Sequence, residues 1–134
     1  MVLTSSCRAP PPTASQLRPE SSRYRTTSSS CPSGAGTYAD NRAAAVSATG
    51  SGEYFIRAVA AHQLAERVRI GGEPLQQALD AVLADISDLG GKGGLIAVAP
   101  DGEAAIGFTT PAMYRGVAGP DGTSVAIYAG EESR

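Results

Sequence analysis

Residues 45–58 read AVSATGSGEYFIRA, a Thr-Gly-Ser-Gly turn set between an apolar run and the start of a helix-like pattern. A strand, a glycine-rich turn and a helix N-terminus in that order bring backbone amides to a point where they can meet negative charge. Thr49 adds a hydroxyl, while Gly50 and Gly52 let the backbone come close to whatever is bound. That charge could belong to a phosphate, a carboxylate or a transient oxyanion. A phosphate loop needs a longer glycine arch followed by Lys-Ser/Thr. Here Glu53 and Tyr54 stand in that place, and Glu53 repels a phosphate while favouring the helix dipole. A dinucleotide fingerprint would need a third glycine, so a small nucleotide-binding module is the weakest class. On spacing alone, Gly50 and Gly52 read equally well as a tight strand-to-helix connection and nothing more.

Other residues offer less chemistry. His62 is read as lacking a carboxylate or thiol partner at i±4, hence as a surface or satisfied histidine. GGKGG at 90–94 reads as a flexible connection rather than an anion cradle, and Arg57 faces either the turn or water. Cys7 and Cys31 have no His or Cys at metal-ligand spacing and are expected to be free and reduced. No metal site and no cofactor are expected.

The elements that would hold the turn follow from periodicity. RAAAVSAT (42–49) is short and apolar, as a buried strand is. Phe55, Ile56, Val59, Ala60, Leu64 and Val68 recur at three- and four-residue steps, predicting one amphipathic helix over 53–69 that stops at Gly71-Gly72. Pro74 suits a first helical position, and Leu75, Ala78, Leu79, Val82, Ile86 and Leu89 form a second stripe. Three strands follow at 95–99, 103–109 and 123–128, the first two joined by a Pro-Asp-Gly hairpin turn. The expected class is α/β, a mostly antiparallel meander covered by two helices on one face, with nothing in the chain to cover the other.

Composition divides the 134 residues at Gly34. Residues 1–33 hold nine Ser, five Pro and four Arg against a single acid, Glu20. They are expected to be a disordered or out-of-frame head. The bias resembles that of a transit peptide, but Pro10, Pro11 and Pro12 forbid an amphipathic helix there. Residues 34–134 carry seven Lys/Arg against twelve Asp/Glu, an acidic balance that gives no footprint for nucleic acid. No run approaches the ~18 apolar residues of a membrane span, so a soluble, cytoplasmic chain with no membrane partner is expected.

GAGTYADN (34–41), AVSATGSGEYFIRAVAA (45–61) and LGGKGGLIAVAPDGEAAIGFTTPAMYRG (89–116) together resemble the small subunit of the isoaspartyl peptidase/L-asparaginase family. These are plant-type asparaginases among the N-terminal nucleophile hydrolases. The resemblance runs from about Gly34 to Ala129. It implies half of an αββα sandwich, cut by autoproteolysis into two subunits, acting on L-asparagine and β-aspartyl dipeptides. The second subunit begins with a catalytic threonine whose own amine is the general base. By the same resemblance Thr49 and Gly50 are catalytic: Thr49 supports the nucleophile, and the pair donates hydrogen bonds to the tetrahedral oxyanion. Gly50 also binds substrate, and the Gly52 backbone helps to hold its α-amino group. An oxyanion site demands that the turn's amides point out of the sheet's end. It also demands an accessible Thr49 hydroxyl and a helix starting within two or three residues of Gly52.

Upstream of Gly34 the resemblance stops. The family's nucleophile would fall at or before Met1. Its glycine pair and the Asp that, with an Arg, grips the substrate have no counterpart in residues 10–33, which contain neither glycine nor aspartate. Arg23 and Arg25 lie near the expected arginine, but their neighbours do not match and neither is carried over. The expectation is a small-subunit fragment, inactive by itself, that lacks the nucleophile and the large subunit. The alternative is a non-catalytic partner that docks through the uncovered sheet face.

Overall fold

A computed structural model describes residues 32–119 and 122–130. Cys7, Cys31 and nearly all of the Ser/Pro/Arg-rich head lie outside those residues. The order is β1 (Thr37–Ala39), β2 (Ala45–Gly50), α1 (Gly52–Ala58), α2 (Ala60–Arg69), α3 (Leu75–Asp88), β3 (Gly93–Val98), β4 (Ala104–Phe108), β5 (Ala112–Gly119) and β6 (Gly122–Tyr128). Strands β1-β2-β3-β4 form one antiparallel sheet, and β5 and β6 a separate two-stranded ribbon. The α/β class with antiparallel sheets is as expected.

Three expectations are corrected. The strand at 123–128 does not continue the meander beside β4. It pairs instead with β5, a strand absent from the sequence reading. AMYRGVAG lacks a clean apolar-polar alternation, and none of its residues is buried, so no apolar face marks it as a strand. Nor is the second sheet face bare: the first half of β5 lies across it, with Met113 seated over Gly94 and the Arg115 guanidinium 5.2 Å from the Phe108 ring centroid.

The third correction concerns the helix over 53–69, which breaks at Val59 (φ 49°) into α1 and α2. The break is held from outside. Gly34 and Ala35 carbonyls accept hydrogen bonds from the N–H groups of His62 (2.7 Å) and Ala61 (3.2 Å), completing donors that a helix start leaves without partners. Ile56 and Val59, placed by the periodicity on the buried stripe, are consequently 53% and 46% exposed. A β-branched residue in the left-handed region is a true outlier. Val59→Gly is therefore expected to raise stability by about 1 kcal/mol, seen as a higher urea midpoint with an unchanged slope.

Helices α2 and α3 cover one face of the sheet. Leu64, Leu79, Val82, Ile86 and Leu95 are fully buried between the layers, joined by Phe55 from α1 and Val46 from β2. The period-2 alternation of β3 sends Leu95 and Ala97 into this core. It sends Gly94 and Ile96 to the opposite face with Ser47 and Thr49 of β2. The Pro100-Asp101-Gly102 turn joins β3 to β4 as expected, with the Ala99 N–H bonded to the Glu103 carbonyl (2.8 Å).

The β1–β2 connection is fixed by Asp40. Its carboxylate accepts hydrogen bonds from the Arg42 side chain (2.8 and 3.1 Å) and backbone N–H (2.9 Å). The Arg42 side chain, then its backbone N–H, hold the Asp40 carboxyl at about 2, below its ordinary 3.8. A depressed carboxylate stabilises the fold fully above its unfolded value, and that contribution is lost as pH falls through the folded one. Between pH 3.8 and about 2, wild type should lose stability more steeply than Asp40→Asn in acid titrations followed by circular dichroism.

Candidate functional site

The turn is built where β2 ends against the start of β3. Gly50 has φ 135°, and a Cβ there would lie 2.3 Å from the Lys92 carbonyl oxygen and 2.5 Å from the Gly93 Cα. A Cβ on Gly93 would in turn lie 2.2 Å from the Thr49 carbonyl oxygen. Only glycines let the two backbones pass this closely. GGKGG is thus no loose connection: Gly93 and Gly94 are strand residues, and the Lys92 peptide is bonded on both sides. The Ser51 N–H donates to the Lys92 carbonyl (2.8 Å), and the Lys92 N–H donates to the Ser51 hydroxyl (3.3 Å).

Thr49 is the penultimate residue of β2 and exposed, and α1 begins at Gly52 itself. Both positions agree with the demands of an oxyanion site, but not every amide of the turn does. The Ser51 N–H is spent on Lys92. Gly50 differs. In an antiparallel ladder, close pairs that exchange no hydrogen bond alternate with pairs that do. Gly93 directs its N–H and C=O toward Thr109 on the β4 side, so its partner Gly50 directs its own peptide groups away from β3. On that side the pairing of β1 with β2 ends at Thr37 and Ser47, followed by one further bond from the Ala48 N–H to the Gly36 carbonyl. The Gly50 N–H therefore emerges past the end of β1. Gly52 would meet nothing within 4 Å if it carried a Cβ.

Around Thr49 the chain encloses about 50 Å³, lined by Ser47, Thr49, Gly94, Ile96, Met113 and Arg115 among others. Ligand pockets begin near ~300 Å³. A larger groove of about 670 Å³ runs between α3 and β4, past Asp80, Ser87 and Phe108, and the turn does not line it. His62 does have an i+4 carboxylate: Glu66 Oε1 is 3.8 Å from its Nε2, and the Tyr38 ring meets the imidazole edge-on at 4.9 Å between centroids. Glu66 is itself held by Arg69 at 3.0 Å, which lowers its pKa. Among the described residues no group of three or more His, Cys, Asp or Glu could hold a metal, and no helix is long and apolar enough to cross a membrane. Arg57 is exposed on α1.

Comparison with known proteins places this turn in a family. The family model described as Asparaginase matches residues 25–127. The chain belongs to the asparaginase family. The isoaspartyl peptidase of Escherichia coli K12 is 47% identical over 98 residues, covering 71% of this chain and 30% of that protein. The probable isoaspartyl peptidase/L-asparaginase 2 of Arabidopsis thaliana is 44% identical over 96 residues, covering 71% of this chain and 29% of that protein. The isoaspartyl peptidase/L-asparaginase of Xenopus laevis is 36% identical over 101 residues, covering 75% and 32%. The chain thus spans under a third of each asparaginase relative named. The family match begins at Arg25, ahead of the composition change at Gly34. The resemblance to this family is therefore established, and it reaches into a segment that composition alone set apart.

Proposed function

We propose that residues 34–130 form the small-subunit wall of an isoaspartyl peptidase/L-asparaginase site, acting on the side-chain amide of L-asparagine and on β-aspartyl dipeptides. The nucleophilic N-terminal threonine and the large subunit come from outside these residues. The threonine hydroxyl attacks the amide carbon while its own amine takes the proton. The carbonyl oxygen becomes an oxyanion, and the Thr49 hydroxyl and Gly50 N–H donate to it. The tetrahedral intermediate collapses to an acyl-enzyme, and ammonia or the amino acid leaves with the proton. Water then releases aspartate. Donors fixed before the reaction cost no reorganisation as the charge forms. The observation that carries this reading is Thr49, exposed beside a Gly50 whose peptide groups turn away from β3 at the open end of the sheet.

Gly52 holds the substrate's α-ammonium through its carbonyl. As the first residue of α1 that carbonyl is also a helical acceptor, so one lone pair is left for the substrate. The face bearing Ile96, Ile106 and Phe108, over which the first half of β5 already lies, is completed by a second sheet to which the rest of the enzyme contributes, giving the αββα sandwich. That face, together with Tyr114 at 82% exposure, also supports a non-catalytic docking role.

A chimera separates the two readings: the Escherichia coli relative with its matched segment replaced by that of this chain. Ammonia release from L-asparagine and aspartate release from a β-aspartyl dipeptide are expected from the chimera and not from the purified chain alone. A chimera that folds and assembles but releases neither product would favour the docking role.

A further inference from the structure

The contact between Gly50 and Gly93 has no side chain to set its spacing. Its geometry has to come from the peptide groups themselves: the Gly93 N–H and C=O both pair with Thr109, while Ser51 holds the adjoining Lys92 carbonyl. Continuing the β3–β4 register past Gly94↔Phe108 sets Gly93 opposite Thr109. A regular pair would exchange two backbone hydrogen bonds. The first is present, from the Thr109 N–H to the Gly93 carbonyl (2.8 Å). In the second the Gly93 N–H donates to the Thr109 hydroxyl oxygen (3.0 Å) in place of the carbonyl, and that hydroxyl lies 3.3 Å from the Gly93 carbonyl oxygen as its donor. The side chain thus finishes a ladder that the backbone has left, on a glycine that is buried.

We propose that Thr109 is a positioning residue for the Thr49–Gly50 turn, its hydroxyl fixing the Gly93 peptide against which Gly50 and the Thr49 carbonyl pack. This rests on the oxyanion-wall reading above. The coupling is steric and one residue long: a hydrogen on the Gly93 Cα is all that separates it from Gly50. Without the hydroxyl, the Gly93 N–H is a buried donor with no acceptor. Gly93 then shifts to find one, and the Gly50 amide moves with it. An oxyanion donor displaced by a fraction of an ångström loses most of its effect on the transition state and little of its effect on ground-state binding.

Amide hydrogen exchange on the full chain reads the brace directly. Thr109→Val, which keeps the branched shape, is expected to speed exchange at Gly93 by about tenfold or more, and Thr109→Ser to leave it near wild type. In the chimera, Thr109→Val should lower kcat by about 10- to 100-fold with KM within about twofold, and Thr109→Ser should restore kcat. If Thr109→Val does not fold, Thr109→Cys replaces it, its sulfur being a weaker acceptor, with an intermediate effect on both readouts. Unchanged Gly93 exchange, unchanged kcat, or a loss of kcat that serine does not restore would each overturn the proposal. Thr49→Ala in the same chimera tells the two claims apart. If it lowers kcat while Thr109→Val does not, only the positioning role falls; if it leaves kcat intact, the oxyanion wall itself is wrong.

Discussion

Thr49→Ala in the chimera is expected to lower kcat by about 10²–10³-fold, the cost of removing one preorganised oxyanion donor, while stability changes by about 0.5 kcal/mol or less. The separation of the two effects follows from where Thr49 sits. It is exposed, one residue from the end of β2, on the face away from the α2–α3 core. Its methyl group fills no core space, so truncation leaves no cavity beneath the helices. Its backbone bonds to β3 survive the substitution. What disappears is a hydroxyl that makes no hydrogen bond among the described residues, and whose proposed partner, the oxyanion, forms only during the reaction. KM should move less than kcat, because a donor to the tetrahedral oxygen acts mainly in the transition state. Steady-state kinetics beside a urea titration of the same preparation checks both halves. Near-normal turnover, or turnover lost in proportion to unfolding, would remove Thr49 from the site.

The sequence exposed the turn more readily than its surroundings. Thr49 to Gly52 stand out because glycines two apart before a helical stripe are chemically conspicuous, and the stripe of α3 is long enough to leave no doubt about its period. Val59 was illegible. Nothing in FIRAVAAHQ breaks a helix, and the break is imposed by Gly34 and Ala35, some 25 residues away in sequence. β5 was missed because its residues lie on a ribbon with little burial, where alternation is not enforced. The role of GGKGG is hidden for a related reason. Glycine runs suggest flexibility when seen alone, and only the facing Gly50 shows that the missing side chains make room for another backbone. Glu66, by contrast, stands four residues after His62, a helical i,i+4 spacing that the sequence alone carries.

Gly50 and Gly52 look alike in the sequence and should respond to alanine in opposite ways. Gly50→Ala places a methyl group 2.3 Å from the Lys92 carbonyl oxygen and 2.5 Å from the Gly93 Cα, at a backbone φ of 135° that L-residues rarely adopt. Neither obstacle is a flexible side chain that could swing aside. Strain and overpacking together should cost about 2–5 kcal/mol, a large part of the ~5–15 kcal/mol that holds a domain together. Gly50→Ala should therefore show a collapsed urea midpoint and little soluble protein, and its lost activity would say nothing about catalysis. Gly52→Ala meets no atom within 4 Å and has no left-handed φ to relieve. Its fold should change by about 0.5 kcal/mol or less. The open space beside Gly52 is where the substrate's α-ammonium is proposed to lie, so the added methyl group should crowd it and raise KM for L-asparagine on the order of tenfold, the effect of about 1.4 kcal/mol. A simple strand-to-helix connection makes the opposite demand: Gly52→Ala with an unchanged KM would leave the glycine a matter of chain geometry and take it out of the binding site.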